Sequence, residues 1–479
     1  MNYRMLAYTI GRILMVVAVT MLIPLGLSLY YGEGLVIAYL IPIAISVAIG
    51  LLVGIKQPKN KSFYAREGMV LVGLSWVIIS LIGALPFYIS GQIPSFIDCF
   101  FETVSGFTTT GSTILADVEK LSKSILFWRS FTHWLGGLGV LAFAMALFSS
   151  KDTKTTYMMK AEMPGPVVGK LSSKWRYSLR ILYVIYIALT VLEIIFLLIG
   201  KMSLYDSVVH ACSTAGTGGF GIWNNSIEHY QSAYIEYVIA IFMMLFGINF
   251  NLYYLLVARK FAQIKANEEF RWYIGIIVVA TLIITFNIRP IYSGLSEAFR
   301  SAFFEVNAII TTTGFASRDI MRDSWPMLSQ IIVVMLMFLG ACAGSTGGGF
   351  KIIRALILGK TARYAVRKAI SPRSVYSIKA DGKEISEEVR HGVLAYLAAY
   401  LLFMVLAMLI VSLDNKDFST TTTSVISTMN NIGPMIGPVG HFADFSVLSK
   451  IVLSISMLVG RLEIYPILVL FSPYMWRRK

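Results

Sequence analysis

Apolar segments long enough to cross a lipid bilayer recur along the whole chain of 479 residues, and no other feature restricts its fold as much. A transmembrane helix needs about 20 predominantly apolar residues. The first two segments begin near Tyr8 and Leu35, and no small-residue cleavage site separates them, so we predict two retained helices and no signal peptide. Only 14% of the residues are charged, against about 25% in soluble domains. The sequence therefore predicts an all-α polytopic membrane protein.

Lysine and arginine are distributed unevenly among the connections. The connections poor in these residues carry acidic side chains such as Glu33 and Asp117. The net charge of +15 is concentrated in four connections and the tail, at residues 56–66, 151–180, 259–271, 354–390 and 477–479. This alternation is the positive-inside pattern, which predicts that both termini and the four basic connections are cytoplasmic. It also accounts for the positive charge without a nucleic-acid partner.

The segments between the basic connections are too long for a hairpin of two helices. In the first, an apolar run is followed by residues 94–113, which begin like a helix and end in Thr and Gly, and then by a second apolar run. Irregular backbone at membrane depth is tolerated only inside protein or beside a watery cavity, so we interpret residues 94–113 as a re-entrant helix and loop. The same three-part unit occurs four times after an N-terminal two-helix extension, which gives the divisions 1–66, 67–160, 161–262, 263–375 and 376–479.

The four re-entrant loops align on one glycine each. Nine residues before that glycine, a polar residue stands in each otherwise apolar helix. The aligned glycines are Gly111, Gly219, Gly314 and Gly433, and the polar residues are Glu102, His210, Glu305 and Ser424.

The second loop also contains GTGGFG at 216–221, which matches the G-x-G-x-x-G dinucleotide pattern. The other three loops lack that pattern, and no alternation of strands and helices surrounds it. We therefore predict that this chain binds no nucleotide itself.

Four such loops around one axis would present a ring of backbone carbonyl oxygens. A dehydrated alkali cation needs several oxygens in place of its water shell. Glycine brings the backbone close to the ion, and the short helix before each loop directs its negative C-terminal end toward it. Glycines that only permit close helix packing are the alternative, which the fourfold recurrence with polar flanks disfavours. The predicted potassium-filter residues are Thr110, Gly111, Gly218, Gly219, Thr313, Gly314, Ile432 and Gly433.

No residue set predicts an enzyme or a resident metal centre. Cys99, Cys212 and Cys342 are far apart in apolar or Gly-rich surroundings, which is typical of small buried residues. The five histidines have no metal-ligand spacing, and no paired acidic or His/Glu set lies in the apolar runs.

The four loops, together with WRSFTHWLGGLGV (128–140), GACAGSTGGGFKIIR (340–354) and MLVGRLEIYP (457–466), resemble the Trk/Ktr/HKT superfamily of potassium transport proteins, most closely its TrkH-type subunits. The resemblance covers essentially the whole chain. It implies four M1–P-loop–M2 repeats around one central pore, plus two extra N-terminal transmembrane helices. It also implies potassium as the transported ion, a bacterial cytoplasmic (inner) membrane, a homodimer, and a cytosolic nucleotide-binding regulatory subunit.

The resemblance further implies an intramembrane gate loop that interrupts the second helix of the third repeat. It maps onto Gly344, Ser345, Thr346, Gly347, Gly348 and Gly349. The residues agree with this interpretation, because each glycine costs a helix about 1 kcal/mol relative to alanine. A kink without a gating role is the alternative. We expect the gate loop and the filter to be independent, so that removing the loop raises flux and leaves selectivity unchanged.

Three charged residues in apolar surroundings are assigned roles. Arg461 lies inside the last apolar run, away from a helix end, where a charge is costly and usually functional. We predict that it lies beneath the filter and anchors oxygens of the gate loop, with a snorkelling side chain as the alternative. Glu102 and Glu305 are predicted to support the filter backbone through hydrogen bonds, with direct ion ligation as the alternative. Asn249, in an apolar helix, is predicted to make packing hydrogen bonds.

Two transport functions fit these residues. The first is potassium uptake through a pore, and the second is a sodium-permeable or cation-coupled secondary transporter on the same scaffold. Inverted repeats with broken helices would favour the second. The repeats here run parallel, each starting on the basic side, which favours the pore. The loops differ from the TVGYG of potassium channels, so we expect weaker selectivity.

Overall fold

The structure, a computed structural model, describes residues 1–56, 58, 65–137, 139, 175–318, 324–373, 377–437 and 441–473. The basic residues at 59–61, 151–174 and 477–479, which were predicted to be cytoplasmic, lie outside this part of the chain. Within it, six helices are long and apolar enough to span a membrane. They are α1 (Tyr3–Tyr30), α2 (Val36–Gly54), α3 (Ala65–Ile89), α6 (Trp175–Ile199), α11 (Glu268–Ile288) and α15 (Glu387–Val411).

The N-terminal helices α1 and α2 pack closely against each other. A Cβ atom on Gly50 would lie 3.0 Å from the carbonyl oxygen of Gly11, and one on Gly54 would lie 3.2 Å from the carbonyl carbon of Gly11. Small residues let two membrane helices approach in this way. The pair contacts α3 and so forms an extension at one side of the remaining helices.

Each of the other four long helices packs against a short polar helix that follows it. These short helices have 12 to 16 residues, which is too few to cross a bilayer. Ser and Asp side chains cap three of their N-termini. The short helices are α4 (Phe96–Phe107), α7 (Leu204–Gly216), α12 (Leu295–Ile310) and α16 (Phe418–Met429).

A second apolar helix follows each short helix, and it packs against the short helix of the next unit. The pairs are α5 (Lys123–Gly137) with α7, α8 (Ala233–Phe246) with α12, α13 (Met327–Met337) with α16, and α17 (Val447–Arg461) with α4, so the last unit returns to the first. The short helices are therefore enclosed in a ring.

The second helices of the later units end early. A break after α8 turns the chain by 90° into α9 (Phe250–Val257), which is followed by α10 (Phe261–Ala266). Asn249 caps α9 by accepting from the N–H of Asn251 at 2.9 Å, so its predicted place inside a helix is wrong. The chain turns again after Arg461 before α18 (Tyr465–Phe471). Arg461 is thus the last residue of α17, and its predicted distance from a helix end is also wrong.

A loop separates α13 from the next helix, α14 (Ile352–Ile370). Its two ends form a short parallel bridge between β1 (Leu339–Gly340) and β2 (Phe350–Lys351). After α14, an antiparallel hairpin joins β3 (Lys379–Ala380) and β4 (Lys383–Glu384). We call residues 377–386 the basic-side hairpin, because they lie in one of the basic connections. The boundaries of the four repeats stay predictions.

Candidate functional site

All four short helices end in the same backbone turn. The residue two positions before each aligned glycine lies in the left-handed region, with φ from 54° to 58°. This is the Schellman ending of a helix, in which an N–H group of the following residue bonds back to the last turn. The repetition of one turn in all four loops matches the register that the glycines predict. The bonds, each 2.9 Å, run from the N–H of Thr110 to the carbonyl of Ser105, Gly218 to Ser213, Thr313 to Ala308, and Ile432 to Ser427.

The left-handed residues are unusual because three of them are β-branched. They are Thr109, Thr217 and Thr312, with Asn431 in the fourth loop. Asparagine visits this region readily, whereas other residues lose about 1–2 kcal/mol there. Backbone strain of this kind persists where the surrounding structure holds it, and it is concentrated at functional sites.

The aligned glycines bring the four loops into a closed ring of contacts. Each glycine lies against a carbonyl oxygen of the next loop in the chain, and the fourth returns to the first. A Cβ atom would fall within 1.9 to 2.6 Å of that oxygen, so no residue with a side chain fits. The distance from that Cβ atom to the carbonyl oxygen is 1.9 Å for Gly111 against Gly218, 2.1 Å for Gly219 against Thr313, 2.0 Å for Gly314 against Ile432 and 2.6 Å for Gly433 against Thr110.

This ring bears on the alternative that the glycines serve only to pack helices. The close contacts join loop backbone to loop backbone, and all four glycines also have a positive φ, from 73° to 108°. Helix packing requires neither property. The four loops therefore bring glycines and carbonyl groups together at one place inside the ring of helices.

Glu102 supports the first loop from outside the ring. Its carboxylate accepts hydrogen bonds from the Thr113 hydroxyl at 2.9 Å and from the N–H of Ile114 at 3.0 Å. Its partner is Arg129 of α5, whose Nε lies 2.7 Å away, and both side chains are buried. Arg129 also donates to the carbonyl of Gly221 at 3.2 Å, which connects the first loop to the second.

Glu305 occupies the equivalent place in the third unit. Its carboxylate accepts from the N–H of Ser317 at 3.1 Å, twelve residues further on, as Glu102 does from Ile114. The corresponding residues of the other units bond within their own helices. His210 contacts the carbonyl of Asp206, and Ser424 donates to that of Thr421.

The predicted gate residues 344–349 lie directly against the third and fourth loops. The N–H of Gly348 donates to the Thr312 hydroxyl at 2.7 Å. A Cβ atom on Gly348 would lie 2.8 Å from the carbonyl oxygen of Asn430. On the other side of the segment, Gly344 accepts from the N–H of Phe250 at 3.0 Å. A hydrogen bond therefore joins the gate segment to the third loop, and the expectation that removing the segment leaves selectivity unchanged stays a prediction.

Arg461 bonds to the same segment. Its Nη1 donates to the carbonyl of Thr346 at 2.7 Å, and its Nη2 donates to those of Gly136 and Gly137 at 2.5 and 2.6 Å. Gly136 and Gly137 end α5, where the helix has unpaired carbonyls and a negative dipole end. One guanidinium thus joins the first, third and fourth units, a use that suits its five donors.

The chain is similar over nearly its whole length to one family. Residues 36–478 match the sequence model of TrkH, described as a cation transport protein. The chain belongs to this family. It is 34% identical to the Trk system potassium uptake protein TrkH of Escherichia coli (strain K12), over all of both chains, and 31% identical to TrkG of the same strain, over 99% of each. The crystal structure of the potassium transporter TrkH from Vibrio parahaemolyticus has a TM-score of 0.89 and 31% identity, covering both chains completely.

Membership of the TrkH family confirms the resemblance inferred from the sequence. The chain is a multi-pass inner-membrane transport protein and not an enzyme, as expected.

One basic residue beside the gate segment of this TrkH family protein was not predicted from the sequence. Lys351, in β2, is 1% exposed, and its ammonium group donates to the carbonyl of Gly347. The signal was available, since a lysine in an apolar run stands two residues after the Gly-rich segment. Two basic side chains, Lys351 and Arg461, therefore bind carbonyl groups of adjacent gate residues.

Proposed function

We propose that this chain takes up potassium across the inner membrane through the ring of four loops. The closed ring of glycine–carbonyl contacts carries this proposal, because oxygens gathered at one place can replace the water shell of a cation. The names of the relatives in the Trk potassium uptake systems support the choice of potassium. The potassium ligands proposed are carbonyl groups of the aligned glycines and of the residues before them.

The segment 344–349 is proposed as the gate. It contacts the loops through Gly348, and it carries the carbonyl groups to which Arg461 and Lys351 donate. A fixed positive charge on the path raises the energy of a cation there, and more so where the dielectric is low. Both side chains would therefore hold the segment closed, and the permanent charge of Arg461 would slow cation passage.

The surroundings of the pore are proposed from the charge pattern and the family. The basic connections and both termini would be cytoplasmic. A separate cytosolic nucleotide-binding subunit would dock on those connections, and two copies of the chain would form a homodimer. Incubating the purified protein with the cytosolic fraction and identifying the proteins that copurify tests whether such a subunit binds. Recovery of no nucleotide-binding protein, with flux unchanged by the cytosolic fraction, would remove it from the proposal.

The transport function is tested by uptake of rubidium-86, a tracer for potassium, into liposomes that contain the purified protein. We expect uptake that external potassium suppresses strongly and sodium weakly. Liposomes with the Gly219→Ser variant, whose side chain would meet the carbonyl of Thr313, are the matched comparison. Uptake at the level of empty liposomes would overturn the proposal.

Sodium permeation on the same scaffold is the second candidate. Its support is the fourth loop, where Asn431 and Ile432 stand in place of the threonines of the first and third loops. Unequal loops are less suited to a ring of equal sites, so selectivity would be weaker. Equal suppression of rubidium uptake by sodium and potassium would favour this candidate.

A further inference from the structure

Glu269 holds together the two ends of the loop proposed as the gate. It lies in the first turn of α11, is 4% exposed, and belongs to a different helix from the loop. Its Oε1 accepts from the N–H of Ala343 at 2.8 Å and from the N–H of Ile353 at 3.1 Å. These two residues stand on either side of the gate segment, so one carboxylate oxygen bridges its entrance and its exit.

Few other contacts close the loop at this point. The parallel bridge pairs Leu339 with Phe350 and Gly340 with Lys351. The N–H of Ile352 reaches the carbonyl of Ala341 only at 3.5 Å. The two bonds to Glu269, at 2.8 and 3.1 Å, are both shorter than this contact.

The first turn of α11, which carries Glu269, is itself held by the basic-side hairpin. Asp381, at the tip of the hairpin, accepts from the N–H of Glu268 at 2.7 Å and from the side chain of Asn267 at 3.0 Å. Lys360 of α14 pairs with Glu268 and donates to the carbonyl of Lys379 in the hairpin at 2.6 Å. A movement of the hairpin would therefore displace the first turn of α11.

We propose that Glu269 is a positioning residue that latches the loop, and that the basic-side hairpin acts on this latch through Asp381. A cytosolic protein that displaces the hairpin would withdraw Oε1 from Ala343 and Ile353 and release the loop. This inference rests on the proposed function, in which residues 344–349 form the gate.

The native thiol of Cys342 reports on the latch without measuring transport. Cys342 is fully buried at the end of the loop, beside Ala343. With Cys99 and Cys212 replaced by serine, it is the only thiol in the chain. The rate at which N-ethylmaleimide modifies it, followed by mass spectrometry in liposomes, measures how often the loop opens.

We expect Glu269→Ala to be modified about tenfold faster than the parent, the size expected when a buried hydrogen bond is lost. Glu269→Gln keeps the Oε1 acceptor and should stay within about twofold of the parent. Asp381→Ala should give an intermediate rate. Glu387→Ala is the matched control, because Glu387 also lies in the first turn of a helix, α15, and its side chain is 80% exposed.

An unchanged rate in Glu269→Ala, or equal acceleration in the alanine and glutamine variants, would overturn the latch. An unchanged rate in Asp381→Ala would overturn the role of the hairpin. If Glu269→Ala does not fold, Glu269→Asp replaces it, since the shorter side chain withdraws the oxygen and should also accelerate modification. Faster modification with unchanged rubidium flux would leave the latch standing and reject the gate.

Discussion

Arg461 donates to the carbonyl oxygen of Thr346 at 2.7 Å, and this bond joins the end of α17 to the centre of the gate segment. The same guanidinium holds the carbonyls of Gly136 and Gly137 at the end of α5. Three of the four units therefore meet at one side chain. Because all three acceptors are backbone carbonyls, Arg461 is the only side chain that takes part in these hydrogen bonds.

Replacing Arg461 by alanine should raise passive potassium flux. The variant removes a hydrogen bond that holds the gate segment and a positive charge beside it, and the gain should be about tenfold. Arg461→Lys keeps the charge but loses the planar set of donors, so its flux should be intermediate. Selectivity should not change, because Arg461 contacts Thr346 and not the Thr312–Gly348 bond.

Rubidium-86 uptake into liposomes, with sodium competition, measures both quantities. Arg271→Ala is the control, since Arg271 is exposed on α11. A lower flux in folded Arg461→Ala protein would mean that Arg461 supports the pore and does not restrain it.

Serine at the aligned glycines should weaken selectivity for potassium or reduce its flux. A Cβ atom at Gly219 or Gly314 would lie 2.1 or 2.0 Å from a carbonyl oxygen of the next loop, so that oxygen has to move. At Gly433 the distance is 2.6 Å, and the effect there should be the smallest of the four. Gly275→Ser is the control, because a Cβ atom at Gly275 meets nothing within 4 Å. Four variants with unchanged sodium competition would reject the filter.

The glycine register shows what the sequence could predict. Each unit repeats one loop, so four weak local signals reinforce each other, and the aligned glycines fall where the loops touch. The left-handed threonines could not be predicted, since a β-branched residue has no local preference for that region. They depend on contacts such as the bond between Thr312 and Gly348.

The breaks after α8 and α17 were missed for a related reason. Apolar residues surround both breaks, with Asn249 at the first and Glu463 at the second, so hydropathy alone indicates a continuous span. The chain ends each helix because of partners far away in sequence, as when the N–H of Phe250 bonds to Gly344. Glu269 and Lys351 were missed because their importance depends on the position of the loop between them.

Removing Glu102 should destabilise the protein, because it leaves Arg129 buried without its partner. Breaking a buried ion pair from one side costs about 3–5 kcal/mol. Glu102→Ala should therefore lower the melting temperature strongly, and the double variant Glu102→Ala/Arg129→Met should recover part of the loss. Thermal unfolding in detergent measures both. A double variant less stable than Glu102→Ala would show that the two side chains act separately.

Asp417 should make a pH-dependent contribution to α16. Hydrogen bonds from the Ser419 hydroxyl and from Thr420 lower the pKa of Asp417 from 3.8 to about 2. A lowered folded pKa stabilises the protein above the unfolded value, and this contribution is lost as the pH falls from about 4 through 2. Asp417→Asn still caps the helix but does not titrate. Its melting temperature should match the parent at pH 7 and exceed it near pH 2; equal values at both would contradict the shift.

Thr312→Val should alter flux and selectivity together. The substitution keeps the β-branched shape but removes the hydroxyl that accepts from Gly348, so both the gate segment and the third loop lose a contact. We expect higher rubidium flux and stronger competition by sodium, because the loop that supplies Thr313 and Gly314 is no longer bonded to the gate segment.

Thr109→Val is the matched control for this prediction. Thr109 has the same left-handed backbone in the first loop, and its hydroxyl has no hydrogen-bond partner in the part of the chain that the structure describes. The pair therefore compares a left-handed threonine that bonds the gate segment with one that does not, and Thr109→Val should transport like the parent. Equal effects of the two variants would mean that the left-handed position itself, and not the bond to Gly348, determines the behaviour of the filter. An increase in flux without a change in sodium competition would place the hydrogen bond in the gate alone.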